Sequence, residues 1–350
     1  MNVNNETDIA VEFRHMRIGY PALFEIHERF DSLRQSRRTA MADTRGTNTE
    51  ASCISMFWPS HAGKTTVIDW YVESRFPGQR SDVWPEMVDR ELRVVVITLD
   101  SGTNFDSFGK QCLKAFGCPL YAKNERNPWV MFDRLHKYIA GRRTELIIFD
   151  ETNNLRMRKA SDTDATNIHN ALRAIAKKQG CPIVVVGTEE AKERIFSDTQ
   201  IANIGVQLPF ERLRLTDPLF IHYCAAIGIK LVEHGLFSSR SNFVQGYCLS
   251  CLHEVSGGLR GRVSRLVQHA ADIARSKGAE RVELRHLELA TDLYAIPNGF
   301  ISFNPFTKAR KIDEESRRRA LVERSIAKAL ATAAARIRPG SSYNRQLVTQ

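Results

Sequence analysis

The stretch Ser60-His61-Ala62-Gly63-Lys64-Thr65-Thr66 lies between a strand-like apolar run, Cys53 to Trp58, and a helix-like run. This order is typical of a loop that binds nucleotide phosphates, because the loop amides and the helix N-terminus together favour an anion. In such a loop Lys64 reaches the β- and γ-phosphate oxygens, and Thr65 ligates Mg²⁺. The stretch therefore predicts a nucleotide site in which all seven residues surround the phosphates.

The full pattern of such a loop has a glycine five residues before Gly63, where this chain has Trp58. The first turn of the loop then has no residue with free φ, which we expect to affect hydrolysis more than binding. Taken alone, the loop is as compatible with a plain turn before a surface helix as with a phosphate site.

Two further strand-like runs end in polar residues. The run 145–151 ends in the adjacent carboxylates Asp150 and Glu151, and the run 182–188 ends in Thr188. Continuous apolar strands indicate a parallel sheet covered on both faces, and such sheets bind ligands at their carboxyl edge. We expect Asp150 to hold Mg²⁺ through water, Glu151 to activate the attacking water, and Thr188 to orient that water or sense the γ-phosphate. Each strand end alone could be a solvated loop cap, but the order of the three features favours a nucleotide site.

The pattern along the chain alternates strands with helices. Strands are predicted near 52–58, 92–99, 145–150 and 182–187, with a short one near 205–208. Helices are predicted near 64–75, 105–116, 128–140 and 166–179. This alternation predicts an α/β fold with a doubly wound parallel sheet.

The chain divides into four predicted segments. Residues 1–50 read as a helical N-terminal extension, with helix over 9–40, followed by a linker, and residues 51–215 as the nucleotide-binding α/β core. Residues 216–300 read as a helical lid subdomain, with helices near 218–234, 242–254, 260–277 and 284–293. Residues 301–350 read as a basic C-terminal helix and tail.

Composition limits the class of protein. At 350 residues with 43% apolar content, the chain can bury one large core and a smaller second one. No apolar run approaches the roughly 18 residues that cross a bilayer, and the N-terminus is polar, so we expect a cytoplasmic protein without a membrane partner. Seven cysteines favour reduced thiols over a disulfide framework. We interpret Cys248, Cys251 and His253 as buried helix residues rather than a zinc site, because no second closely spaced pair accompanies them.

The net charge of +10 points to a polyanion as partner. Residues 308–338 contain ten basic and four acidic residues, an excess of 10 − 4 = +6. A basic helix-like segment of this kind binds nucleic-acid phosphates or an acidic protein surface. A merely solvated charged helix is the alternative.

A nucleotide-binding α/β core followed by a helical lid is the architecture of AAA+ ATPases. The sequence further resembles the TniB branch of transposition regulators, which is related to the TnsC and MuB target-selection ATPases. The likeness spans roughly residues 15 to 295. Its segments are Arg17-Ile18-Gly19-Tyr20-Pro21-Ala22, Gly63-Lys64-Thr65, Phe149 to Leu155, Val186-Gly187-Thr188-Glu189-Glu190-Ala191, Ser197 to Ile201, and Ser256-Gly257-Gly258-Leu259-Arg260-Gly261-Arg262.

The resemblance implies an ATPase that binds ATP with Mg²⁺, assembles as a ring or helical filament on duplex DNA, and recruits or activates a DDE transposase. A target-selector protein is a further candidate partner. The resemblance adds Tyr20 to the nucleotide-binding residues and Arg260 to the catalytic residues Glu151 and Thr188. The expected DNA contacts follow the second strand and Glu151, and they are Lys110, Lys114, Arg156, Arg158 and Lys159.

Two departures leave hydrolysis open. The family has an arginine that reaches the γ-phosphate in the neighbouring subunit, and this chain has Ile204 at the matching position. Arg194 and Arg212 are the candidate substitutes. The second departure is Trp58, which replaces the first glycine of the phosphate loop. Hydrolysis is then slow, stimulated by the transposase, or absent. The first hypothesis is therefore a DNA-bound ATPase regulator of transposition. The alternatives are a hydrolysis-deficient ATP-gated adaptor and a P-loop ATPase of another pathway, such as defence or replication loading.

Overall fold

The computed structural model describes residues 8–43, 51–77, 91–124, 127–156, 163–178, 180–195, 203, 205–308 and 321–332. The chain divides into two compact units. The core unit comprises Pro21–Phe210, and the helical unit comprises the residues up to Tyr20 together with those from Glu211 onward. The long helix before the predicted linker, Pro21–Ala42, therefore belongs to the core unit.

A five-stranded sheet forms the centre of the core unit. Its strands are β1 Cys53–Phe57, β2 Val94–Thr98, β3 Leu146–Asp150, β4 Ile183–Gly187 and β5 Gly205–Gln207. All pairings are parallel, in the order β2-β3-β4-β1-β5. Every residue of β1, β3 and β4 is buried, as expected for strands covered on both faces. The predicted α/β parallel-sheet class is confirmed.

Six helices of the described core unit surround this sheet. They are α2 Pro21–Ala42, α3 Lys64–Arg75, α4 Phe105–Ala115, α5 Trp129–Gly141, α6 Thr163–Lys178 and α7 Glu189–Ile195. A capping box fixes the start of α4, where the Asn104 side chain accepts from the Ser107 amide and the Ser107 hydroxyl accepts from the Asn104 amide. The short helix α7 was not predicted.

A buried ionic network ties α2 to α3 and to the start of β3. Arg34 on α2 donates through Nε to Glu145 Oε2 at 2.9 Å, and through Nη1 to Asp31 at 2.9 Å and to the Tyr71 hydroxyl at 3.2 Å. Tyr71 on α3 donates in turn to Asp31 at 2.8 Å. Because α3 also carries the phosphate-loop lysine, this network helps to fix the position of that helix.

The helical unit has its own apolar core. Its described helices are α1 Ile9–His15, α8 Pro218–Glu233, α9 Cys248–Ser256, α10 Arg260–Ser276, α11 Leu284–Ala290 and α12 Pro305–Lys308, with one π-helical turn at Thr291–Ala295 and helix over residues 321–332. Asp217 caps α8 by accepting from the Leu219 amide, and Pro218 occupies the first turn, so the predicted start at 218 is confirmed.

Two helix predictions need correction. The extension predicted as helix over 9–40 is interrupted, because α1 ends at His15 and α2 begins at Pro21. Proline disfavours helical conformation at the residue before it, which explains the break. The helix predicted near 242–254 begins only at Cys248: the Asn242 side chain accepts from the Val244 amide, and Gly246 has φ +56°. Most of the predicted basic C-terminal segment lies outside the described residues.

Three further observations concern the cysteines, metal-binding groups and membrane-spanning helices. All seven cysteines are buried and none forms a disulfide. In the described part of the chain, no group of three or more His, Cys, Asp or Glu side chains could hold a metal ion. Among the same residues, no helix has both the length and the apolar character required to cross a membrane.

Candidate nucleotide site

Three loops meet at the carboxyl edge of the sheet, following β1, β3 and β4. Parallel pairing places Phe57 opposite Gly187, and the Trp58 amide donates to the Gly187 carbonyl at 3.1 Å. β3 pairs in parallel with β4, so Asp150, the last residue of β3, lies at the same edge of the sheet. The sheet order thereby gathers the phosphate-loop candidate and both polar strand ends in one place.

Trp58 is a buried anchor of the loop. The residue is only 3% exposed. Its Nε1 donates to the Leu208 carbonyl at 3.0 Å, and its ring centroid lies 5.4 Å from that of Phe210. The left-handed backbone of the loop occurs elsewhere, at His61 with φ 62° and at Gly63 with φ 92°. Position 58 therefore does not require the conformational freedom of glycine.

Lys64 is buried at the first turn of α3. Its Nζ donates to the carbonyls of Trp58 and Pro59, each at 3.0 Å, so the ammonium folds back over the loop. Burial lowers the pKa of Lys64, and the negative charges of Glu151, Asp150 and Glu190 oppose that shift. An ammonium held by two loop carbonyls can exchange these partners for phosphate oxygens.

Thr65 and Asp150 offer adjacent oxygen ligands. Thr65 Oγ1 donates to Asp150 Oδ2 at 3.2 Å, and Asp150 Oδ1 accepts from the Glu151 amide at 2.8 Å. Burial raises the pKa of Asp150, and the nearby Glu151 charge adds to the shift. A hydroxyl and a carboxylate side by side suit Mg²⁺, which prefers hard oxygens and takes its remaining ligands from phosphates and water.

Glu151 adopts a left-handed backbone conformation, with φ 57°. A non-glycine residue in this region costs about 1–3 kcal/mol and persists only where its surroundings hold it. Here the short 3₁₀ turn Thr152–Asn154 follows at once, and Thr152 Oγ1 donates to the Val186 carbonyl at 2.9 Å. A Cβ on Gly187 would lie 2.5 Å from Thr152 Oγ1, so this turn needs glycine at the end of β4.

The remaining polar groups of the edge contact one another. Asn153 Nδ2 donates to Glu151 Oε2 at 3.0 Å. The side chains of Thr188 and Glu190 are hydrogen-bonded, which is the main reason that the pKa of Glu190 is lowered. In the loop itself Ser60, His61, Thr65 and Thr66 are exposed, Gly63 is half-buried, and Ala62 is buried.

Tyr20 and Arg260 belong to the helical unit, where they contact each other. The Arg260 guanidinium carbon lies 3.7 Å from the Tyr20 ring centroid. Burial raises the pKa of Tyr20, while the Arg260 charge opposes the rise. Burial likewise raises the pKa of the neighbouring Tyr223 to about 12. Arg212 is in the same unit and donates to the Gly257 carbonyl at 3.3 Å.

The DNA-contact candidates are only partly described. Lys110 pairs with Asp106 at 2.8 Å and with the Asn124 side chain at 2.8 Å. Lys114 is exposed, with its ammonium 5.9 Å from the Tyr121 ring centroid. Arg156 is exposed, whereas Arg158, Lys159 and Ile204 lie outside the described residues.

Sequence reasoning assigned no role to Asn153 or Glu190. Asn153 contacts the Glu151 carboxylate, and the charge of Glu190 acts on Lys64. One signal was available: both follow a buried strand within a few residues, at the edge where ligands bind. Their contacts depend on the tight turns after β3 and β4, which the sequence pattern does not specify.

Comparison with solved structures shows the fold. Cdc6p from Pyrobaculum aerophilum matches with 12% identity and a TM-score of 0.51, covering 82% of this chain and 71% of that one. The Aeropyrum pernix ORC2 protein in its ADPNP-ADP complexes matches with 12% identity and a TM-score of 0.50, covering 76% and 67%. The Aeropyrum pernix ORC1 protein in complex with DNA matches with 16% identity and a TM-score of 0.48, covering 76% and 65%. This chain thus spans about two thirds of the length of these proteins, and at such identities the first two likenesses bear on the fold alone.

Comparison with protein families is more specific. No curated protein sequence matches the chain significantly. The family described as bacterial TniB protein matches residues 14–212. This stretch contains the phosphate loop, the Asp150-Glu151 strand end and Thr188, and it exceeds half of the 350 residues. The chain therefore belongs to the TniB family, and it has the α/β fold of AAA+ proteins.

Proposed function

We propose that this protein is an ATP-dependent, DNA-binding regulator of transposition that assembles on duplex target DNA and recruits or activates a DDE transposase. The observation that carries the proposal is the meeting of Lys64, Thr65, Asp150 and Glu151 at one sheet edge in a TniB family member. Membership of the family supports transposition as the pathway, and the charge of +10 supports a polyanionic partner.

ATP is the proposed ligand of the loop. Lys64 exchanges the carbonyls of Trp58 and Pro59 for the β- and γ-phosphate oxygens, and the amides of residues 60–66 surround the β-phosphate. Thr65 and Asp150 would hold Mg²⁺, which neutralises phosphate charge when it is bound. Their adjacent hard oxygens support this assignment.

Hydrolysis is the proposed reaction. Glu151 takes a proton from water as the water oxygen bonds to the γ-phosphorus, and the bond from that phosphorus to the β–γ bridging oxygen breaks to release ADP and phosphate. Thr188 orients the water or senses the γ-phosphate, which its position directly after β4 supports. Tyr20 and Arg260 are proposed as additional nucleotide contacts, and their mutual stacking supports a shared role.

An ATP-gated adaptor without turnover is the second candidate. Glu151 is hydrogen-bonded to Asn153, and Ile204 occupies the position at which the family has the trans-acting arginine. Arg194 and Arg212 are the proposed substitutes for that arginine. A phosphate-release assay of the parent protein with DNA and transposase separates the two candidates. The regulator with turnover releases phosphate, and the adaptor releases none.

DNA binding is proposed to depend on charge and on ATP-driven assembly. Contacts to phosphates release counterions, so affinity should fall steeply with salt and differ little between unrelated duplexes. ATP should strengthen binding, since subunits that assemble as a ring or helical filament place many basic groups on one DNA molecule. The proposed contacts are Lys110, Lys114, Arg156, Arg158 and Lys159, with a target-selector protein as a further possible partner of the assembly.

The test is a filter-binding series at rising salt, with and without Mg-ATP. Charge reversal at Arg156, Arg158 and Lys159 should weaken DNA binding and leave ATP binding intact. A second variant reverses Arg317, Arg318 and Arg319 and tests the basic C-terminal segment as the alternative site. It is preferred to a truncation at Asn304, which would also remove the buried Phe306 and Val322. Loss only in the second variant would move the DNA site to the C-terminal segment. Undiminished binding by both variants would contradict the charge reasoning for either segment.

A further inference from the structure

One half-buried arginine of the helical unit has no acidic partner in the described part of the chain. Arg262 lies on α10, and its guanidinium carbon is 4.6 Å from the centroid of the Phe300 ring. Its Nε is buried, and among the described residues it has neither a hydrogen-bond acceptor nor a carboxylate in an ion pair. Burial lowers the pKa of Arg262, and the positive charge of Arg212 lowers it further. An anion beside Arg262 would therefore stabilise its charged form.

A strip of aromatic rings continues from Arg262 along α10. Phe300 meets Tyr294 edge to face, with ring centroids 5.4 Å apart, and Tyr294 stacks on His269 at 3.9 Å. Arg262 and His269 are about two helical turns apart, so they lie on the same face of α10. The charges of Arg262 and Arg265 both act on Tyr294. The strip thus combines apolar ring surface with a phenol and a guanidinium that can donate to an anion.

The strip ends at a π-helical turn that exposes a leucine. The turn, Thr291–Ala295, follows α11 directly, and turns of this kind are rare and often occur at functional sites. Leu293 in this turn is 70% exposed, the largest exposed fraction among the large apolar side chains of the described residues. A single exposed leucine needs no explanation by itself, but this one adjoins half-buried aromatic rings. The π-turn patch, as we name it, consists of Arg262, His269, Leu293, Tyr294 and Phe300.

The charges around the π-turn patch favour a protein segment over nucleic acid. The negative charge of Asp272 acts on His269, and Asp292 precedes Leu293 in the turn. Both aspartates are exposed, so they would repel a row of DNA phosphates. One carboxylate can instead pair with Arg262 alone, since a guanidinium binds a carboxylate through paired hydrogen bonds. Arginine and aromatic residues are also enriched in protein–protein interfaces.

We propose that the π-turn patch binds a segment of a partner protein in which an Asp or Glu side chain lies next to a large apolar side chain. The carboxylate pairs with the Arg262 guanidinium, and the apolar side chain packs against Leu293 and the adjoining rings. All residues of the patch belong to the helical unit. The inference therefore rests neither on ATP hydrolysis nor on the DNA contacts proposed above.

The experiment measures peptide binding to the full chain by fluorescence anisotropy. The probe is a labelled peptide in which glutamate alternates with leucine, blocked at both ends, and a second probe replaces each glutamate by glutamine. The variants are Arg262→Gln and Leu293→Ser. The matched control is Arg281→Gln, which loses the same charge at an exposed arginine of the helical unit that pairs with Glu283 at 3.6 Å.

The parent should bind the glutamate probe and bind the glutamine probe at least tenfold more weakly. Arg262→Gln should weaken binding of the glutamate probe by about ten- to a hundredfold, because paired hydrogen bonds to a charged group are lost. Leu293→Ser should weaken it by about tenfold through lost apolar contact. Arg281→Gln should keep the affinity of the parent. If Arg262→Gln fails to fold in thermal melts, the exposed Leu293→Ser variant still decides the outcome.

Four results would overturn the inference. The first is a parent that does not bind the glutamate probe, or binds both probes equally. The second is an equal loss in Arg262→Gln and Arg281→Gln, which would leave only an effect of net charge. The third is unchanged peptide binding with a loss of duplex-DNA affinity specific to Arg262→Gln, which would assign the patch to nucleic acid. The fourth is unchanged peptide binding with a lower oligomeric state of Leu293→Ser in sedimentation, which would make the patch a contact between copies of this chain.

Discussion

Replacing Trp58 by glycine restores the usual pattern of the phosphate loop but removes a buried anchor. Trp58 is 3% exposed, donates to the Leu208 carbonyl at 3.0 Å and packs against Phe210. The loop residues with a positive φ are His61 and Gly63, and Trp58 is not one of them. We therefore expect Trp58→Gly to lower stability strongly and to leave the intrinsic affinity for ATP unchanged.

The magnitude follows from the lost contacts. Truncating a buried tryptophan costs about 3–5 kcal/mol. The Leu208 carbonyl loses its donor, which costs about 1 kcal/mol more, and glycine adds about 0.5–1 kcal/mol of backbone entropy. The sum of about 4.5–7 kcal/mol is a large part of the stability of a typical domain. Trp58→Phe keeps most of the ring packing and should cost only about 1–2 kcal/mol.

Denaturant unfolding followed by tryptophan fluorescence measures this effect. The other tryptophans, at positions 70, 84 and 129, all fall within Pro21–Phe210, so the signal reports on the core unit. Calorimetric titration at low temperature then gives the ATP affinity of the folded fraction. A glycine variant as stable as the parent, or one that binds ATP tenfold more tightly, would refute this account of Trp58.

Three further predictions concern the same core unit. Glu151→Gln should keep ATP binding, abolish phosphate release and lengthen the lifetime of the DNA-bound assembly; undiminished release in a phosphate assay would exclude Glu151 as the base. Arg34→Met should lower the free energy of unfolding by about 3–5 kcal/mol, because Glu145 remains buried with weaker partners, and adding Glu145→Gln should restore part of the loss in denaturant unfolding. Mg²⁺-dependent ATP affinity should weaken as pH falls, because only the charged form of Asp150 binds the cation. Burial raises the pKa of Asp150, so this loss of affinity should begin at a pH above the ordinary Asp pKa of 3.8. Asp150→Asn should remove this pH dependence in calorimetric titrations, and a pH profile identical to that of the parent would contradict it.

The sequence predicted the sheet well, for a physical reason. Strands buried on both faces are continuous apolar runs, so β3 and β4 were located to within one residue of 145–150 and 182–187. Strong caps also located α8, which begins at Pro218 after Asp217. These features depend on neighbouring residues only.

Details that depend on contacts distant in sequence were not predictable. Trp58 looked like a defect of the loop, because its partners Leu208 and Phe210 lie about 150 residues away. The positive φ of Glu151 depends on the approach of Thr152 to Gly187, which a strand pattern does not reveal. The interaction of Asn153 with Glu151 depends on the same turn.

The central claim is that ATP binds through Lys64 at this sheet edge. The most direct measurement is a calorimetric titration of Mg-ATP into the parent, Lys64→Ala, and the control Lys230→Ala, whose lysine pairs with Glu233 in the helical unit. Thermal melts of the three proteins establish that each one is folded. The account predicts binding by the parent and by the control, and no measurable binding by Lys64→Ala. Binding by a folded Lys64→Ala as tight as that of the parent would contradict it.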